Sequence, residues 1–129
     1  MTVTGLYAGL AAALLVALTL RVVALRRRLR VGIGTGQQAQ LERAIRVHGN
    51  FIEYTPLALL LLALYEAGGA NPVLVHGAGA LLIVSRLLHA WGLAGSAGTS
   101  PGRFLGTAGT LFVLLCLGIR LVLRALGSG

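Results

Sequence analysis

The chain has a single cysteine, three acidic residues and no lysine, and each scarcity excludes a class of protein. Cys116 alone forms no intrachain disulfide, and a zinc site needs clustered ligands that the sequence does not supply, so we expect no metal. Cys116 lies within an apolar run, where we expect it to be a small buried hydrophobic residue. The eleven basic residues are all arginines and give the chain a formal net charge of +8.

Apolar residues make up 57% of the 129 residues, and the mean hydropathy of +0.87 lies beyond the usual range of soluble domains. A bilayer core of about 30 Å takes about 20 residues of helix. Four stretches are long enough to span it: 6–25, 44–66, 73–93 and 104–123. We therefore predict an all-α membrane protein with one domain over residues 1–129. Basic residues follow the first stretch rather than precede it, so we interpret that stretch as a retained span and not a signal peptide.

The connections between the predicted spans are short, which favours an up-down-up-down bundle of four helices. Loops are predicted at 31–40 and 95–102, where glycine and polar residues concentrate. Four arginines follow the first span and, by the positive-inside rule, place that loop in the cytoplasm and the N-terminus outside: Arg26, Arg27, Arg28 and Arg30. Basic loops of this kind explain the net charge without nucleic acid, and we expect no nucleic-acid partner.

Polar residues form a stripe along the second predicted helix. At about 100° per residue, Arg43, Arg46, Asn50 and Glu53 fall within a sector of roughly 80°. Ionised side chains in hydrocarbon need a partner, a protein interior or water. The stripe is therefore predicted to line a site between helices or between subunits.

The third predicted helix carries polar residues at the same membrane depth. Counted along antiparallel helices at about 1.5 Å per residue, Glu53 and Arg86 share one layer, so we predict that they form a charge pair. His89 lies one turn from Arg86 on the same face and is predicted to point toward the same cavity. A structural interpretation, in which this network only fastens the helices together, stays open on these grounds alone.

Arginines outnumber carboxylates at the cytoplasmic end. Arg43, Arg46, Arg86 and Arg103 face only Glu42 and Glu53. Surplus guanidinium groups favour a small anionic ligand bound through bidentate carboxylate contacts. Glu53 and Asn50 would then receive its ammonium and amide groups.

The motif E-R-A-x-R-V-H-x-N-x-x-E-Y-x-P, beginning at Glu42 and ending at Pro56, resembles the second-helix signature of the membrane-associated proteins in eicosanoid and glutathione metabolism. That family includes microsomal glutathione transferases, leukotriene C synthase and microsomal prostaglandin E synthase. The third-helix pattern Arg86-x-x-His89 resembles the prostaglandin synthase branch. With the matching length and four spans, the resemblance covers nearly the whole chain.

The resemblance implies a homotrimer of four-helix subunits, embedded among membrane lipids, with glutathione bound at each subunit interface toward the cytoplasm. It implies a catalytic role for Arg103, which would activate the thiol from the start of the fourth helix. The residues it implies for glutathione binding come from the first three helices: Arg26, Arg46, Asn50, Glu53, Tyr54, Arg86 and His89. The short loops favour a bacterial inner-membrane protein.

The sequence departs from the family at Leu93, where relatives often carry a tyrosine one turn beyond the histidine. The expected activity is that of a glutathione transferase or peroxidase acting on lipophilic electrophiles or lipid hydroperoxides. Two alternatives remain from the sequence: a small proton-coupled drug exporter that uses Glu53, and a non-catalytic membrane scaffold of the same fold.

Overall fold

The computed structural model describes residues 1–95, 98 and 100–127, and these contain four long helices. Each helix is long and apolar enough to cross a membrane, as the sequence predicts. The helices extend a few residues beyond the predicted spans at their ends: α1 (Thr2–Leu29), α2 (Ala39–Ala67), α3 (Pro72–Gly95) and α4 (Pro101–Ala125).

Local chemistry determines where the helices end. Arg30 closes α1 in the left-handed conformation, with φ of 56°. The Arg26 side chain then donates to the carbonyls of Val31, Gly32 and Gly34 and holds the following loop against the helix end. Of the loop predicted at 95–102, residues 96, 97 and 99 lie outside the described residues.

The central pair of the bundle is α2 and α3, and each outer helix packs on both of them. In the part of the chain that the structure describes, α1 and α4 do not contact each other. The core is correspondingly thin and falls into two clusters, one toward each end of the bundle. Near the α2 N-terminus it contains Ala11, Leu18, Val47, Phe51 and Leu93, and near the opposite end Tyr7, Ala58, Leu62, Val75, Leu82, Val113 and Leu117.

Glycines allow α3 and α4 to pack with their backbones in close approach. A Cβ on Gly106 would lie 2.5 Å from the Ser85 carbonyl oxygen and 2.7 Å from the His89 Cβ. Gly92 and Gly102 likewise face backbone atoms of the other helix. Small residues of this kind are the usual means of helix association in lipid, where no hydrophobic drive exists between helices.

Polar contacts close the outer end of the bundle, opposite the arginine-rich loop. The Glu66 carboxylate accepts hydrogen bonds from the backbone N–H groups of Val3 and Thr4, at 3.0 and 2.8 Å, and so caps α1. Arg124, near the end of α4, donates to the Gly68 carbonyl. Glu66 and Arg124 therefore serve structure at the end remote from the predicted site.

One expectation about an individual side chain is wrong. Cys116 is exposed on the outer face of α4, because the thin bundle buries only one stripe of that helix. Tyr7, in the first turns of α1, is 8% exposed and packs into the core. Its hydroxyl is 3.1 Å from His76 Nδ1.

Gly106→Ala tests the close α3–α4 contact. The added methyl group meets backbone of α3, so the helices must separate, and we expect a loss of about 1–3 kcal/mol in the free energy of unfolding. Gly118→Ala on the same helix is the matched control, since a Cβ there meets nothing within 4 Å. Thermal unfolding in detergent measures both variants. Equal stability of the two would contradict this account of the packing.

Candidate functional site

A cleft with a volume of about 270 Å³ opens at the arginine-rich end of the bundle, between α2, α3 and α4. We call it the arginine cleft. Its lining residues are mostly polar: Ala39, Glu42, Arg43, Arg46, Asn50, His89, Leu93 and Arg103.

Helical periodicity brings the α2 contribution to one face. Arg43, Arg46 and Asn50 follow one another at spacings of three and four residues, so successive turns present them on the same side. The adjoining face of α2 carries Ala44, Val47 and other small or apolar residues that pack into the bundle. Packing of the apolar side thus turns the three polar side chains toward the cleft.

Arg86 of α3 lies behind the cleft and is 3% exposed. Its Nη1 donates to Asn50 Oδ1 at 2.6 Å, and its Nη2 donates to the Gly106 carbonyl at 3.3 Å. The Tyr54 ring lies against the same guanidinium, 5.9 Å from Cζ to the ring centroid. A single cation therefore connects α2, α3 and α4.

The predicted charge pair between Glu53 and Arg86 is wrong. Glu53 Oε1 instead lies 3.9 Å from Arg46 Nη1, and both side chains are more than half exposed, at 51% and 62%. Glu53 and Arg86 do lie at a similar depth in the membrane. A separation of three residues along a helix, however, turns the side-chain direction by about 60°, so Asn50 and Glu53 point in different directions. Asn50 faces Arg86, and Glu53 points away from it.

His89 is held from α4 by a residue that the sequence reasoning missed. The imidazole is 4% exposed, and its Nδ1 lies 3.1 Å from the Thr107 hydroxyl. The sequence does indicate this contact, because Thr107 follows Arg103 by one helical turn and therefore lies on the same face of α4. His89 Nε2 and Arg86 Nε are buried without a hydrogen-bond partner among the described residues. Buried polar atoms of this kind normally have a partner, and they indicate where a ligand or water would bond.

Arg103 enters the cleft from the first turn of α4. Ser100 caps that helix, its Oγ accepting from the Arg103 backbone N–H at 3.3 Å, and Pro101 occupies the first turn. The Arg103 side chain is exposed and also lines a second, adjoining depression with Phe104 and Thr107. The cap thus fixes the backbone and leaves the guanidinium available to a ligand.

Not all of the predicted binding residues line the cleft. Tyr54 supports Arg86 from outside it, and Glu53 lies on the exposed side of α2. Arg26 is engaged with the carbonyls of the loop that follows α1. The cleft of one chain therefore contains Arg46, Asn50, His89 and Arg103 of the predicted set, with Arg86 directly behind.

Charge in the cleft is strongly unbalanced. Arg43, Arg46 and Arg103 contribute guanidinium groups, and among the described lining residues Glu42 is the one carboxylate. Exposed Arg46 and Glu53 side chains on a membrane-crossing helix cannot face hydrocarbon at an acceptable cost. The geometry suits a compact anionic ligand and a covering surface over the exposed side of α2.

Comparison with known proteins agrees with this architecture. The sequence model of the MAPEG family matches residues 4–123. The chain belongs to the MAPEG family. Its similarity to inner membrane protein YecN, from two strains of Escherichia coli, is 43% identity over 90 residues, covering 70% of this chain and 69% of the relative.

Membership of the MAPEG family and the four spanning helices establish a multi-pass membrane protein, and the relatives place it in the inner membrane. The family that the second-helix motif predicts is thereby confirmed. The name of the YecN relatives describes a location and states no reaction.

Asn50→Ala tests the corrected partner of Arg86. It removes the 2.6 Å acceptor of a buried guanidinium, so we expect a loss of about 1.5–3 kcal/mol in the free energy of unfolding, the usual range for a hydrogen bond to a charged group. Glu53→Gln is the control, since an exposed pair contributes about 0–1 kcal/mol. Chemical unfolding in detergent compares the two. A larger loss of stability in Glu53→Gln than in Asn50→Ala would instead support a pairing of Arg86 with Glu53.

Proposed function

We propose that this MAPEG protein is a glutathione transferase or peroxidase that activates the thiol of glutathione in the arginine cleft. The observation that carries the proposal is the cleft itself: three guanidinium groups and an unpaired buried histidine nitrogen around about 270 Å³, with one lining carboxylate among the described residues. Such a donor set fits a small molecule with two carboxylates, an ammonium group and amide groups.

Different residues of the cleft bind different groups of glutathione in this proposal. Arg43 and Arg46 bind its carboxylates, since guanidinium and carboxylate match in bidentate geometry. Glu42 replaces Glu53 as the acceptor for the ammonium group, because Glu42 lines the cleft and Glu53 does not. Asn50 Oδ1 is occupied by Arg86, which leaves the Asn50 amide nitrogen to donate to a ligand carbonyl.

Arg103 acts on the sulfur in this proposal. A free thiol is only a few per cent ionised at neutral pH, and a neighbouring guanidinium lowers its pKa by roughly 1 to 3 units. The Arg103 side chain has no carboxylate partner in the described part of the chain, so it is available to stabilise the thiolate. The sulfur then attacks the electrophile, forming the carbon–sulfur bond as the leaving group departs. With a hydroperoxide, the thiolate attacks the peroxide oxygen and releases the alcohol, and a second glutathione converts the resulting sulfenic acid to glutathione disulfide and water.

A homotrimer completes the site in this proposal. The exposed Arg46–Glu53 pair requires a covering surface that is not lipid, and a neighbouring copy of the chain provides one. A copy that covers the cleft with the end of its own α1 also brings Arg26 to the ligand, which one chain alone does not do. The lipophilic substrate enters from the bilayer through the open side, and the site faces the cytoplasm.

The proton-coupled exporter is less well supported. Such a transporter needs a membrane-embedded carboxylate that binds and releases protons, whereas Glu53 lies beside Arg46 on an exposed face and the chain belongs to the MAPEG family. The non-catalytic scaffold shares the fold, so the experiments below distinguish it by ligand binding and thiolate formation.

Ligand-dependent stability tests the binding part of the proposal. Glutathione at 100 times its dissociation constant should raise the free energy of unfolding by about 2.7 kcal/mol, because it binds only the folded protein. Arg46→Ala should abolish most of this increase, and Arg120→Ala, at the far end of α4, should retain it. Light scattering on the same samples should give the mass of three chains. No stabilisation of the parent protein by glutathione would favour the scaffold.

Arg103→Ala tests the catalytic part. Glutathione binding should stay within a few-fold of the parent, while the ultraviolet absorbance of the bound thiolate is lost. Conjugation to a model electrophile should fall at least about tenfold, which corresponds to roughly 1.4 kcal/mol. If both signals survive in Arg103→Ala, Arg103 does not activate the thiol and this part of the proposal is wrong.

A further inference from the structure

A second basic groove lies on α1 and shares no lining residue with the arginine cleft. Its volume is about 240 Å³, and we call it the α1 groove. Two arginines, two apolar residues and one amide line it: Arg21, Ala24, Leu25, Arg28 and Gln40. Nothing in the proposed thiol chemistry uses these side chains.

Arg21 and Arg28 lie on the same face of α1. Seven residues separate them, which is about 20° short of two full turns and about 10 Å along the axis. Arg28 is oriented by Gln40, its Nη2 donating to the amide oxygen at 2.7 Å. The apolar Ala24 and Leu25, which lie between the two arginines in the sequence, also line the groove.

Arg21 has no counter-charge among the residues that the structure describes. It lies within a helix that crosses the membrane, about 12 Å before the last residue of α1, and no described residue makes an ion pair with it. The chain has only three carboxylate side chains, and all are placed elsewhere. Glu66 caps α1 at the outer end, Glu53 lies beside Arg46, and Glu42 lines the arginine cleft.

The same count makes a neighbouring copy of the chain a poor partner for Arg21. A second copy brings the same three glutamates in the same engagements, and the chain contains no aspartate. A phospholipid supplies what is missing, since its phosphate is anionic and its acyl chains are apolar. Clustered arginines at the cytoplasmic end of a membrane helix commonly attract anionic lipids, and long arginine side chains reach the headgroup layer from below it.

We propose that the α1 groove binds an anionic phospholipid of the adjacent leaflet. The Arg21 and Arg28 guanidinium groups hold its phosphate through charge-assisted hydrogen bonds, and the glycerol and upper acyl chain lie against Ala24 and Leu25. Arg26 takes no part, because it does not line the groove.

Native mass spectrometry of detergent-purified protein tests the proposal by titration with phosphatidylglycerol and with phosphatidylethanolamine of the same acyl chains. The parent should retain phosphatidylglycerol preferentially. Arg21→Gln should weaken that binding by about tenfold, the effect of losing one charge-assisted contact. Arg27→Gln is the matched control: it removes the same charge from the same helix outside the groove, and should change binding by less than about twofold.

Ala24→Phe provides a second test that leaves the charge unchanged. The larger side chain fills the groove and should displace the lipid. Equal losses in Arg21→Gln and Arg27→Gln would show a general charge effect and overturn the proposal. So would equal retention of both lipids by the parent, or displacement of phosphatidylglycerol by free glycerol phosphate. Glutathione is absent from these measurements, so their outcome is independent of the proposed enzyme activity.

Discussion

The buried guanidinium of Arg86 is the interaction on which the rest of the bundle depends. An arginine that is 3% exposed inside a membrane protein requires acceptors from the protein itself. Asn50 supplies one from α2 and the Gly106 carbonyl supplies another from α4. Because these acceptors lie on different helices, the cation is satisfied only when all three helices are correctly placed.

The glycines of α3 and α4 follow from this requirement. A main-chain carbonyl of α4 can accept from Arg86 only if the two helices approach closely, and side chains larger than glycine at position 106 would keep them apart. The same approach brings Thr107 to His89. Glycine packing and the polar network are thus parts of one arrangement: the packing permits the hydrogen bonds, and the hydrogen bonds hold polar groups that hydrocarbon would not tolerate.

The distribution of charge explains why a protein of this size leaves functional groups available. Each of the three glutamates has a distinct place, so most of the eleven arginines have no carboxylate partner in the described structure. Some are satisfied by carbonyls, as Arg26 and Arg124 are. Arg43 and Arg103 in the arginine cleft and Arg21 in the α1 groove have neither kind of partner among the described residues. Both surfaces therefore suit anions, and the ligands we propose for them are glutathione and a lipid phosphate.

The amino-acid sequence alone determined the class of the protein and much of its site. Hydropathy and the length of a bilayer span define four helices, and helical periodicity places Arg43, Arg46 and Asn50 on one face, because both depend only on local geometry. The second-helix motif identifies the family. The position of His89 follows from counting residues along antiparallel helices, whereas the role expected of Arg103 follows from the resemblance to the family.

Tertiary structure alone decided which side chains meet. Depth along an axis does not determine rotation about it, so Arg86 was paired with Glu53 although it bonds Asn50, one turn away and about 60° around the helix. Contacts of Arg26 with its own loop, and of Thr107 with His89, depend on how the chain turns and how closely two helices pack. Only the tertiary structure shows that Cys116 is exposed, because an apolar sequence does not distinguish a helix face that packs on protein from one that packs on lipid.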